Sequence, residues 1–159
     1  MREVAAEQRP PFNVRASASI EHLNIRKEGP EGEEEVACDV KLTIKKVDWR
    51  LCDYFDPALA PFLWKQDTES WIVRSDKLGP ISYSTTVEGA TIVIGNEQFT
   101  GDAKKFQIVP KDGGVIDLLC SVTIRPNDDE VSALAKDLKE DVGVSIQAQP
   151  DLFAQAGQR

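Results

Sequence analysis

The chain has 159 residues, 41% of them apolar and 29% charged, and a formal net charge of −8. That length suits one ordinary domain with a core that needs no disulfides, and the negative balance argues against a protein that coats duplex DNA with a broad basic surface. No apolar run approaches the roughly 18 residues of a membrane span and Met1 to Asn13 has no signal-peptide apolar block, so the sequence predicts a soluble, cytoplasmic protein with flexible tails over 1–13 and 148–159 around one domain over 14–147.

Val14, Ala16, Ala18 and Ile20 alternate with Arg15, Ser17, Ser19 and Glu21, and the phase then shifts to Leu23 and Ile25. A long strand with a bulge near His22 explains the shift. Glu28 to Glu35 reads as a turn with an acidic run. Val36, Cys38, Val40, Leu42 and Ile44 recur at every second position, with Asp39, Lys41, Thr43 and Lys45 between them, which predicts a strand with one dry and one wet face. Val47 to Lys65 holds Trp49, Tyr54, Phe55, Phe62 and Trp64 and reads as an apolar excursion covering one end of a sheet. Within it Asp56-Pro57 looks like a helix start, cut short by Pro61.

Trp71-Ile72-Val73 is a candidate strand. Ile81 to Val87 and Thr91 to Ile94 suggest a hairpin around Glu88-Gly89-Ala90. Phe99 to Val109 and Val115 to Arg125 suggest another, turning at Pro110-Lys111-Asp112-Gly113-Gly114. The period then changes to 3.6: Asn127 can cap a helix that opens with Asp128, Asp129 and Glu130 and carries Val131, Leu134, Ala135 and Leu138 on one face. Gly143 is expected to end it, and Val142, Val144 and Ile146 suggest a last short strand. The sum is a mainly β chain: an antiparallel β-sandwich, or a partly open barrel, of about seven to eight strands with one amphipathic helix near the C-terminus and one short helical excursion.

No nucleophile elbow, phosphate loop or dinucleotide fingerprint occurs. Cys38, Cys52 and Cys120 are far apart, and His22 is the single histidine, so the usual structural zinc pattern is not supplied. The cysteines at alternating apolar positions, Cys38 and Cys120, read as small core residues in a reducing compartment. Asp53, Asp56 and Asp67 lack the spacing and closing Glu of a calcium loop. No catalytic residue, cofactor or metal is therefore expected.

Two binding readings remain. Lys41, Lys45, Lys46, Trp49 and Arg50 place cations on the wet face of the Val36–Ile44 strand with aromatics at its edge, the chemistry that holds single-stranded nucleic acid: lysines track phosphates and rings stack on bases. Lys104, Lys105 and Lys111 extend that patch if the fold brings their strands alongside. The alternative is a solvated, lysine-lined face with Trp49 packed inside.

The other reading is the tail. In Gln149-Pro150-Asp151-Leu152-Phe153 a large apolar pair sits in a segment too polar to bury itself. The pentapeptide resembles the motif by which bacterial proteins bind the sliding clamp of the replicative polymerase: Gln, any residue, Ser or Asp, Leu, then Leu or Phe. The resemblance implies that Leu152 and Phe153 fill a pocket on the clamp, with Gln149 and Asp151 at the matching polar positions and Pro150 keeping the peptide extended. The alternative is that the pair packs on its own domain.

Over residues 20–140 the chain also resembles small proteins of the early, replication and recombination regions of tailed bacteriophages. The resemblance rests on Asn24-Ile25-Arg26-Lys27-Glu28-Gly29-Pro30, on Phe55-Asp56-Pro57-Ala58-Leu59 with Phe62-Leu63, and on Gly79-Pro80-Ile81. It implies an accessory, non-catalytic role in DNA metabolism. An acidic inhibitor of a host defence protein and a virion structural protein are the other readings the sequence leaves open.

Overall fold

The computed structural model describes residues 10–75 and 77–149. Strand β1 (Asn13–Glu28) pairs antiparallel with β2 (Glu35–Asp48) on one side and, over its first half, with β9 (Asp141–Gln147) on the other. β2 pairs onward with β8 (Val115–Ile124), β8 with β7 (Glu97–Lys111), β7 with β6 (Val87–Ile94), and β6 with β9. The ladder β1-β2-β8-β7-β6-β9 thus returns to β1, and of the two architectures the sequence offered, this is the barrel. β5 (Ile81–Tyr83) adds to the same β7, and β3 (Trp64–Asp67) and β4 (Ser70–Val73) form a separate ribbon.

Alternation decides what points inward. Val40, Leu42 and Ile44 of β2, Ile116, Leu118, Cys120 and Val122 of β8, and Ile92 and Ile94 of β6 are buried, while their neighbours face out. The bulge expected near His22 is there: the β1–β2 register slips between Ile20 and His22. β7 pairs with β6 over its first half and with β8 and β5 over its second, and β8 comes in at Gly101, where a Cβ would stand 2.2 Å from the Thr123 carbonyl oxygen. Only a residue without a side chain lets β7 approach β8 this closely as it leaves β6.

The excursion after β2 is a 3-10 turn (Trp49–Leu51) and two short helices, α1 (Cys52–Phe55) and α2 (Leu59–Leu63). Phe55 and Phe12 carry it into the core, Phe12 against Tyr54 at 5.1 Å and Phe106 at 5.2 Å between ring centroids. Phe12 is therefore buried ahead of the first strand, within the segment expected as a tail. α3 (Asp128–Lys136) follows β8, and Asn127 and Glu130 close a full capping box over its first turn.

Four local expectations are corrected. Ile81–Tyr83 does not pair with β6: both lie on β7, Gly89 (φ +62°) makes a bulge inside β6, and the hairpin turns instead at Gly95-Asn96. Asp56 does not cap a helix at Pro57. Its carboxylate accepts from the Ala58 amide and the helix starts at Leu59. α3 stops at Lys136, and of its expected apolar face only Leu134 is buried, Leu138 being left 38% exposed. Gly143 lies inside β9 rather than ending the helix, which ends because Lys139 takes a left-handed turn (φ +68°) and donates its amide to the Ile20 carbonyl.

Candidate anion-binding face on the barrel wall

Register places His22 of β1 beside Lys41 of β2, Lys41 beside Ser121 of β8, and Ser121 beside Lys104 of β7. All four occupy outward positions, so they form one row across four strands of the outer wall. Both ends of the row are shaped by bulges. β1 slips just before His22, and β7 slips between Lys104 and Gln107, where Lys105 holds a left-handed backbone at φ +57°. Bulges bend the strand and re-aim side chains, and a concavity of about 420 Å³ lies between them, lined by Lys41, Lys104, Lys105, Gln107 and Ser121 among others.

The carboxylate in that concavity is Asp39, and it is already occupied. Arg26 grips it with two hydrogen bonds, at 3.0 and 3.1 Å, and the Thr123 hydroxyl donates at 2.7 Å. The Arg26 hydrogen bond, assisted by Thr123 and opposed by partial burial, draws the Asp39 carboxyl down to about 2. Lys41, Lys104 and Lys105, by contrast, make no ion pair among the described residues. Three lysines without an ion pair among the described residues thus line one concavity in a chain of net charge −8.

The other cations predicted for this face are not gathered there. Lys45 reaches the opposite way and binds Asp141 at 2.9 Å, which raises its pKa. Lys46 sits in the β2 bulge at φ +56° with its amide 3.4 Å from the Asp117 carboxylate, and Lys111 lies 3.9 Å from the same carboxylate. Trp49 stacks on Trp71 at 5.2 Å between centroids, and the Arg50 guanidinium lies 5.6 Å from the centre of the Trp49 ring. This group is tied to the β7–β8 turn: the Trp49 amide donates to the Gly114 carbonyl, the Gly113 amide to Trp71, the Val73 amide to the Asp112 carboxylate, and the Trp64 indole to the Lys111 carbonyl. Trp49 is thus part of the packing under the excursion, half-buried, and does not flank the lysine row.

Cys38, Cys52 and Cys120 are free and buried, and burial drives the thiols of Cys52 and Cys120 up to about 12. No group of three or more metal-ligating side chains occurs among the described residues, and no helix among them is long and apolar enough to cross a membrane. Of the tail motif, only Gln149 lies within the described residues. It is exposed and donates from its side-chain amide to the Thr91 hydroxyl, whereas Pro150 to Phe153, with Asp151 and Leu152, lie outside them. No family model, no curated protein and no solved structure matches the chain.

Proposed function

We propose that the chain is a non-catalytic accessory module of phage or bacterial DNA replication or recombination, and that it binds single-stranded nucleic acid on the outer wall formed by β1, β2, β8 and β7. One observation carries this: Lys41, Lys104 and Lys105, from two strands that do not pair with each other, share a cavity whose carboxylate is already bound by Arg26 and Thr123. A narrow cluster of unpaired cations on an otherwise acidic protein suits one phosphate backbone rather than a duplex. The non-catalytic part rests on the chemistry of the candidate nucleophiles. The three thiols are buried, and burial raises those of Cys52 and Cys120 to about 12, which keeps them from acting as thiolates.

The test is fluorescence anisotropy of a labelled oligothymidylate at several salt concentrations. Three phosphate contacts on a single strand give a slope of log K against log salt of about −2. Replacing Lys41 and Lys104 by Gln should abolish binding, while Lys45→Gln should leave it unchanged. Binding that ignores salt, or that survives the double replacement, overturns the reading.

A second reading keeps the tail as a protein-binding element, by its resemblance to the clamp motif. What favours it is that, among the described residues, the last strand, β9, ends at Gln147 and that Gln149, the motif's first residue, is exposed. Replacing Leu152 and Phe153 by Ala should then remove co-purification with the sliding clamp and leave the melting temperature unchanged. A stability loss of several kcal/mol, about what a buried pair of this size costs, would mean that the pair packs on its own domain.

A further inference from the structure

The concavity holds charge and polar donors but lacks stacking surfaces. Its cations are all lysines, point charges with three rotatable donors, and no arginine fork lines it. Its asparagine amide, that of Asn24, already lies 3.5 Å from Asp39. The single ring along its edge is His22. The three tryptophans lie elsewhere, packed on one another at 5.2 and 5.9 Å beneath the excursion, and Phe106 on β7 is fully buried. Sequence-tolerant binding of bases rests on ring faces to stack on, and among the described residues the cavity's one ring is His22, its uncharged edge-reading groups beside the lysines being Gln107 and Ser121.

We infer that this face recognises the phosphate chain alone, so that its ligand class is a linear run of phosphates, phosphodiester or condensed, irrespective of base and sugar. The inference rests on the single-strand reading for the choice of wall, and it deepens that reading by naming what is read. Lys105 gives a clean handle on it. Its left-handed backbone favours glycine, so Lys105→Gly removes an ammonium group while relieving the backbone and leaving the bulge in place.

The experiment uses the full chain and a labelled oligothymidylate, displaced in turn by unlabelled oligothymidylate, an abasic phosphodiester of the same length, and inorganic tripolyphosphate. The expected result is that the abasic chain competes within about threefold of the oligothymidylate, that tripolyphosphate also displaces, and that Lys105→Gly weakens all three by a common factor with no fall in melting temperature. An abasic chain weaker by more than about tenfold shows that bases are stacked or read and overturns the inference while leaving single-strand binding intact. Binding indifferent to Lys105→Gly also overturns it, by placing the site elsewhere. If the oligothymidylate does not bind but labelled tripolyphosphate does, with the same sensitivity to Lys105→Gly, the single-strand reading falls and the phosphodiester half of the inference falls with it, leaving condensed phosphate as the ligand. If neither binds, both fall.

Discussion

Lys41 and Lys104 stand on opposite sides of Ser121, each paired with it in register, so that two strands which do not pair with each other carry their lysines to either side of one residue of β8. Two strand spacings, about 10 Å, separate their backbones. At that distance they should act as independent phosphate contacts. Lys41→Gln and Lys104→Gln, each on its own, should lower the salt slope by about 0.7. A slope unchanged by either replacement would show that the group does not touch phosphate.

Asp39 links β1, β2 and β8 through Arg26 and Thr123, and its carboxyl lies below its ordinary value. A carboxylate depressed on folding stabilises the fold above its unfolded pKa and loses that contribution as pH falls through its folded value. The contribution is therefore whole at pH 5 and disappears between about pH 4 and pH 2. Solvent screening at this wall position reduces it to about 1 kcal/mol. Denaturant titrations should show Asp39→Asn less stable than the parent at pH 6, with the difference closing toward pH 2.

Gly101 is the corner of the barrel. Alanine there sets a Cβ against the Thr123 carbonyl at 2.2 Å and the Ile124 side chain at 3.1 Å, and the obstructing oxygen belongs to a ladder that cannot give way. Gly101→Ala should cost about 2–3 kcal/mol in chemical denaturation. Gly143, with open space around its Cβ position, should tolerate alanine in the same assay.

The capping box at α3 sets its first turn. Asn127 accepts from the Glu130 amide at 2.8 Å, and the Glu130 carboxylate accepts from the Asn127 amide at 2.9 Å. Asn127→Ala should lower stability by about 1 kcal/mol, measured by thermal unfolding, without affecting anion binding at the lysine row.

The thiols should report unfolding. With Cys38, Cys52 and Cys120 buried and their pKa values raised by desolvation, little thiolate is exposed at pH 8. Ellman's reagent should label none of them quickly in the native protein and all of them in guanidinium. Rapid native labelling at pH 8 would contradict their burial.

The sequence alone determined what depends on near neighbours along the chain. Alternation from Val36 to Ile44 marked β2 and its inner face, the phase slip after Ile20 marked the bulge, Asp112-Gly113-Gly114 marked the β7–β8 turn, and Asn127 marked the start of α3. Gly95-Asn96, where β6 turns into β7, is as local a signal as Gly89, but a glycine in a bulge and a glycine in a turn look alike until the partner strand is known. What only the tertiary structure decided is who stands beside whom. The ring closes through β7 and β8 and through β1 and β9, and that closure brings Lys104 and Lys105 to Lys41 while Asp141 of β9 takes Lys45 away. A period of two says which side of a strand a lysine faces, but its neighbour across the ladder comes from a distant stretch of chain, and the choice among such partners is made by packing the whole core at once.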